Sequence, residues 1–484
     1  MRKGFLKNFM IIGTGSFLSM LLGFLTTPII TRIVDPTDYG QFSIFTMYSN
    51  LAIMVLYLGL DQSMVRYFYE EDTFEYRQAL LKKCVKLPVV ATIGASILAI
   101  VLYEFGILQF EFEQEVLVCL CIYTLILVVY RFSLLFIRLQ YKTKIYSALG
   151  VIQKIAYIVI VFALLYFSNA NHMMVLVLAT MAAAFLCMVA SILAEKKSWC
   201  FSSCDTAACK VPDKSLLIYG YPYIISMGVT SLFQAIDKIS LNMYCSYTEV
   251  GIYSSTMTLI HIFNIVQTTF NTLWAPMAVE HYTKDKEDKA FYQKGNQVIT
   301  VIMFFLGLSV ILIKDVFAIL LGEKYREAAH ILPFLVFSPI MYTISETTVN
   351  GLVFMKKSKL QVLVAVVACV TNIIGNTILV PIYGCQGAAI STGLSYIVFF
   401  MMRTFLSNKF FYVDFKLKKF YLLTFVVSLY ALYNTFVEFN AWVVVFYVIC
   451  LGIMCFLYHN TIKWGYGYIL GLVKEKLGKR SKIG

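Results

Sequence analysis

The chain has 484 residues, 60% of them hydrophobic and 14% charged, with a mean hydropathy of +0.77. A soluble chain carries about 45–50% apolar and about 25% charged residues, so both values point to an integral membrane protein and exclude a soluble enzyme. The net charge of +13 does not argue for nucleic acid as a partner, because basic residues on a polytopic protein mark its cytoplasmic side.

In chain order, apolar runs fall near 9–31, 42–60, 87–108, 116–136, 147–167, 173–194 and 216–236, then 251–273, 297–313, 331–353, 360–380, 386–406, 420–437 and 441–458. Each is long enough to cross a hydrocarbon core of about 30 Å at 1.5 Å per residue. The expected fold class is therefore all-α and polytopic, with about fourteen spans. The first run follows Arg2, Lys3 and Lys7. It is too long for a signal-peptide core and lacks a small-residue cleavage site, so it reads as a retained helix.

With both termini inside, the cytoplasmic segments hold 34 of the 40 Lys and Arg residues, and the outer segments keep only Lys314, Lys324 and Arg326. That asymmetry is the positive-inside pattern. The outer connections are short, which leaves no room for an external catalytic domain, and no Walker sequence is present. Glu111, Glu113 and Glu115 read as a charged outer rim. The largest inner loop, 195–215, carries Cys200, Cys204 and Cys209 without a nearby His. It reads as a solvated loop with reduced thiols rather than a metal site, and no cofactor or metal is expected.

Shifting the sequence by 211 residues lays Thr37-Asp38-Tyr39-Gly40-Gln41-Phe42-Ser43 on Thr248-Glu249-Val250-Gly251-Ile252-Tyr253-Ser254. Thr, an acid, Gly, an aromatic residue and Ser recur in register. The shift spans six helices, and an even number preserves orientation, so two parallel six-helix repeats are expected. The corresponding division is 1–194 (N-terminal lobe), 195–215 (cytoplasmic linker), 216–406 (C-terminal lobe) and 407–484 (two extra helices and a basic tail).

The seventh run carries Ser226, Thr230, Gln234, Lys238 and Asn242 at four-residue spacing, with Asp237 beside Lys238. At 3.6 residues per turn this is a slowly spiralling polar stripe. The first run carries Gly15, Ser19, Gly23, Thr27 and Thr31 at the matching positions, a pattern that suits close helix packing. Ionisable groups within spans are costly and face a water-filled cavity or one another. Further candidates are His261, Asn264, Thr268 and Asn271 on the eighth run, Tyr342, Glu346 and Asn350 on the tenth, and Asn50 on the second. Asn372 and Asn376 share a face of the eleventh run. Arg131 and Lys154 read as cations about a turn deep from the inner side, and Arg32 sits near the outer end of the first run.

The run Pro28-Ile29-Ile30-Thr31-Arg32-Ile33-Val34-Asp35-Pro36-Thr37-Asp38-Tyr39-Gly40, with Leu58-Gly59-Leu60-Asp61 and Arg66-Tyr67-Phe68, resembles the start of the Wzx-type polysaccharide-transport flippases. That branch shares a superfamily of multidrug, oligosaccharidyl-lipid and polysaccharide exporters with the MATE exporters and lipid II flippases. The resemblance implies carriage of an undecaprenyl-pyrophosphate-linked oligosaccharide from the inner to the outer leaflet by alternating access, in a bacterial plasma membrane with both termini cytoplasmic. It implies a transporter rather than an enzyme. Possible drivers are a proton or sodium gradient or the membrane potential, and possible partners are a polysaccharide polymerase and chain-length machinery beside membrane lipids. Within it, Lys238, Arg131 and Arg32 are candidates for the diphosphate. Asp237, Gln234, His261, Asn264, Glu346, Asn350 and Asn50 are candidates to line the cavity. A lipid II flippase and a cation-coupled multidrug exporter are the nearest alternatives, and a polytopic enzyme of polysaccharide assembly is a remote one.

Overall fold

The computed structural model describes residues 2–167, 171–201, 206–465 and 467, and these are helical with no strand among them. The first helices are α1 (Arg2–Thr31), α2 (Pro36–Leu56), α3 (Leu60–Tyr67), α4 (Phe74–Glu104), α5 (Gln114–Leu139), α6 (Thr143–Phe167), α7 (His172–Ala194) and the short α8 (Lys196–Trp199). They are followed by α9 (Asp213–Tyr244), α10 (Tyr247–Ile260), α11 (Phe263–Lys284), α12 (Lys289–Leu312), α13 (Lys314–Leu321), α14 (Ala328–Leu335), α15 (Phe337–Thr348) and α16 (Asn350–Phe354). The long α17 (Ser358–Asn408), α18 (Leu417–Phe436) and α19 (Ala441–Leu457) complete the order.

Nine described helices are long and apolar enough to span a membrane alone, and two sharply bent pairs raise that to 11. The 51-residue α17 supplies two spans, because Gly384 at φ 54°, ψ −133° breaks it, in a region of backbone space open to glycine alone. With α10–α11 and α18, every apolar run of the sequence has a helical counterpart. Local signals set many ends. Pro36 begins α2 with its φ already helical, and the side chains of Thr73, Asn171, Asp288 and Asn440 accept from backbone N–H groups in the first turns of α4, α7, α12 and α19.

Several spans read as continuous in sequence are broken. Leu58 and Gly59 adopt left-handed φ values of 52° and 65° and bend α2 against α3 by 52°. The eighth run divides at His261–Ile262 and the tenth at Val349, while Val336 keeps helical dihedrals and Ala328–Thr348 continues through it as one span. Pro28 and Pro222, by contrast, lie inside unbroken helices.

Contacts group the chain into two units, Met1–Asn242 with Ser246–Ser254, and Met243–Cys245 with Ser255–Gly484. The first unit has an apolar core at one end of α3, α4 and α5, where Met64, Phe68, Leu80, Phe132 and Phe136 enclose Cys209 and Leu216. The described part of the 195–215 segment is tied there at four carbonyls, while Lys196, Lys197, Thr206 and Lys210 stay exposed. Gln78 Nε2 donates to the carbonyls of Lys197 and Cys200 at 3.1 and 2.9 Å, and Lys83 Nζ to those of Cys209 and Val211 at 2.8 and 2.9 Å. Cys209 is buried and Cys200 exposed, while Cys204 lies outside the described residues.

Also in the first unit, the two copies of the repeated motif touch. Thr37 and Thr248 hydroxyls lie 2.9 Å apart, Ser43 donates to Ser254 at 2.7 Å, and each pair is 211 residues apart. A Cβ on Gly40 would fall 1.8 Å from the Tyr247 carbonyl, and one on Gly251 1.9 Å from the Pro36 carbonyl. The motif's glycine is thus fixed by a reciprocal backbone approach of α2 and α10 about a local two-fold.

In the second unit α14 and α15 form the core, with Leu332, Leu335, Phe337, Ile340 and Ile344 fully buried. Lys314, also fully buried, donates to the carbonyls of Asn434 and Val437 at 2.6 and 2.8 Å. These oxygens end α18, so the ammonium meets the negative end of that helix dipole and ties the penultimate helix to its unit.

Candidate functional site

The stripe on α9 is held at its two ends and open between them. At one end Ser63 Oγ donates to the Leu216 carbonyl at 2.6 Å, and a Cβ on Gly59 would fall 2.1 Å from the Gly220 carbonyl. At the other end Asn242 Nδ2 donates to both Glu111 oxygens, at 2.7 and 2.8 Å. The same carboxylate accepts from the hydroxyls of Tyr247 at 3.1 Å and Tyr48 at 3.3 Å. Phe110 and Phe112 extend this contact, their ring centroids 5.9 Å from Tyr48 and 5.8 Å from Tyr247 respectively. Glu111, while exposed, is therefore the hub of a clasp joining the α4–α5 connection to α2, α9 and α10.

Between the two anchorages Thr230 and Gln234 are exposed and Ser226 and Lys238 half-buried. A membrane helix that leaves such groups uncovered turns them toward water, since lipid gives them no partner. Asp237 is buried and accepts a hydrogen bond from Tyr253 of α10 at 2.6 Å, so its carboxylate is held against a neighbouring helix. The Lys238 ammonium has no hydrogen-bond or ion-pair partner among the described residues.

The other candidates of the first unit separate by environment. Arg131 Nη2 donates to Asp61 Oδ2 at 2.9 Å and lies 5.8 Å above the Tyr57 ring. Asp61 is 1% exposed, and its Oδ1, like Arg131 Nε, is buried without a partner. Arg131, its side chain 38% exposed, is thus paired with a buried carboxylate. Arg32, just beyond α1, and Asn50 on α2 are exposed and make no contact with the other candidates among the described residues.

In the second unit His261 occupies the α10–α11 break, 3.0 Å from the Asn264 amide nitrogen through Nδ1. Glu346 accepts from Arg403 Nη1 at 2.7 Å, and Ser345 Oγ from the same nitrogen at 2.6 Å. The guanidinium carbon of Arg403 lies 5.6 and 5.4 Å from the rings of Tyr342 and Phe399. Arg403, counted in the sequence among inner-loop charges, is in fact 7% exposed. Its signal was a lone cation within the twelfth apolar run, facing an acid on the tenth. Asn350 is buried and donates to the Thr347 carbonyl at 2.8 Å within its own turn, so its amide is engaged locally. Asn372 and Asn376 are fully buried, and Asn372 Oδ1 accepts from Ser391 at 2.8 Å. Asn372 thus bonds across the break at Gly384, while Asn376 Nδ2 donates to Asn372 Oδ1 at 3.3 Å within one helical stretch.

The sequence profile of a family described as "Polysaccharide biosynthesis protein" matches residues 5–282. An uncharacterized membrane protein of Methanocaldococcus jannaschii is 20% identical over 438 residues, which is 86% of each chain. Among solved structures, a lipid II flippase MurJ in an inward closed conformation superposes with a TM-score of 0.68 at 13% identity, over 95% of this chain and all of the other. An inward-facing MATE-family multidrug resistance transporter gives 0.58 at 13% identity, over 81% of this chain and 94% of the other. At such identities these two likenesses concern the fold.

Proposed function

Because the chain belongs to the polysaccharide biosynthesis protein family, we propose that it is the flippase of a surface-polysaccharide pathway. It carries an undecaprenyl-pyrophosphate-linked oligosaccharide from the inner to the outer leaflet of a bacterial plasma membrane by alternating access. The working division is the two six-helix lobes, 1–194 and 216–406, with α18 and α19 as additions.

The observation that carries this reading is the uncovered polar stripe of α9, with Lys238 unpaired among the described residues. The cargo has a diphosphate, a sugar head and a long tail. A cation in poorly solvated surroundings attracts the diphosphate strongly, and Gln234, Thr230 and Ser226 suit sugar hydroxyls. A multidrug exporter coupled to cations is less well supported. Asp61, the buried carboxylate of the N-terminal helices, already holds Arg131.

Deleting the gene tests the reading. Lipid-linked oligosaccharide should still be assembled but remain on the inner leaflet, out of reach of a non-permeant lectin or glycosidase in intact cells. A deletion strain that makes no lipid-linked product would favour an enzyme, and one with unchanged surface polysaccharide would remove the reading.

A further inference from the structure

The apolar run places Lys154 about a turn deep, yet it stands eleven residues after Thr143 and thirteen before Phe167 in α6. At 1.5 Å per residue that is about 16 and about 20 Å from the helix ends, close to mid-membrane. Ser147, Gly150 and Lys154 share one face of α6, and the first two meet α1. A Cβ on Gly15 would fall 1.5 Å from Ser147 Oγ, and one on Gly150 3.4 Å from Ser19 Oγ. In the same register Lys154 comes level with Gly23, where a Cβ would meet nothing within 4 Å. Further along, Ile30 at the end of α1 and Val34 just beyond it share one apolar cluster with Val161 and Tyr157 of α6. A gap therefore opens between α1 and α6 at the level of the lysine.

The opposite face of α6 carries Ile152, Ile155 and Val159, which line an apolar groove with Leu186. That is the face suited to lipid, and Lys154 is not on it. Nor is the ammonium neutralised. Arg131 and Arg403 are paired with Asp61 and Glu346, whereas Lys154 makes no ion pair among the described residues. An unpaired ammonium at this depth persists where it faces water or takes an anionic ligand.

We propose that Lys154 is a second anion-binding residue of the transport path. It holds the diphosphate of the polyprenyl-linked cargo in the space that Gly23 leaves free. This rests on the flippase reading and adds a residue from α6 to those of α9. The small-residue stripe of α1 then has two uses, close packing at Gly15 and Ser19 and clearance for the ligand at Gly23.

The test is binding to the purified full chain in detergent, with undecaprenyl pyrophosphate, undecaprenol and inorganic pyrophosphate as probes. Wild type should bind undecaprenyl pyrophosphate more tightly than undecaprenol. Lys154→Met keeps the stem, removes the charge and eases insertion, so folding is preserved. It should weaken undecaprenyl pyrophosphate about tenfold, the loss of one charge-assisted contact, and leave undecaprenol unchanged. Lys154→Arg should retain most of the affinity, and Gly23→Leu should lose it with Lys154 still present. Unchanged binding by Lys154→Met overturns the assignment while the flippase reading stands. A wild type that does not distinguish undecaprenyl pyrophosphate from undecaprenol counts against the flippase reading itself. Lys154-dependent binding of inorganic pyrophosphate with no gain from the tail overturns the lipid-linked source.

Discussion

At Arg403 the guanidinium donates to Glu346 and Ser345 and lies over two rings, while at Lys238 the ammonium is left without a partner among the described residues. Both are cations in apolar helices, but removing them has different consequences. Taking Arg403 away leaves a carboxylate unpaired in the core of its unit, a change that destabilises by about 3–5 kcal/mol. Lys238 holds no such group in place, because Asp237 beside it accepts from Tyr253. Lys238→Ala should therefore insert at normal level yet lose most export, and Lys238→Arg should restore much of it. The measurement is surface polysaccharide against the amount of variant in the membrane. Full export by a stably inserted Lys238→Ala removes this residue from the path.

Among the elements, α9 is anchored to α3 at one end and to the Glu111 clasp at the other. A helix fixed only at its ends keeps its middle available, and the middle is where the polar stripe lies. The Glu111 anchorage is the one open to solvent, since it consists of hydrogen bonds at an exposed carboxylate. Bonds to a charged group contribute about 1.5–3 kcal/mol when sheltered and less where water competes. Glu111→Ala should therefore loosen the clasp and raise external thiol labelling of a cysteine placed at Gln234 by about fivefold, a shift of about 1 kcal/mol. Glu111→Gln, which keeps an acceptor, should have a smaller effect. Equal labelling in the presence and absence of Glu111 would mean that the clasp does not govern access to the stripe.

For the whole molecule, 32 of the 40 basic residues remain on one set of loops once Arg403 and Lys154 are placed within helices, and that distribution predicts both termini and the 195–215 linker in the cytoplasm and Asp38 outside. In a background stripped of native cysteine, Asp38→Cys should react with an impermeant thiol reagent in intact cells, and Lys210→Cys only after permeabilisation. The reverse pattern would overturn the orientation. The tail beyond residue 467, which carries several of these charges, lies outside the described residues.

Fold class, helical runs and the 211-residue repeat were legible in the sequence because each follows from local composition or from comparing the chain with itself. Hydrocarbon leaves a backbone few ways to satisfy its polar groups, so an apolar run of sufficient length becomes a helix whatever its neighbours are. The repeated Thr, Gly and Ser needed only their register to be noticed, and Gly40 against Gly251 gives that register its steric cause. The breaks at Leu58–Gly59, His261 and Val349 were not legible, because no sequence period marks where packing interrupts a helix. Nor were the fates of the ionisable groups. The same arginine can be an inner-loop charge, half of an ion pair or a ligand contact. Only the tertiary structure, by setting Asp61 beside Arg131 and Glu346 beside Arg403 while leaving Lys154 and Lys238 without an ion pair among the described residues, decides which charges are already paired and which remain for an anion. The physical reason is that a charge's worth in low dielectric depends on what lies within a few ångströms of it, and that distance is set by helices far apart in the chain.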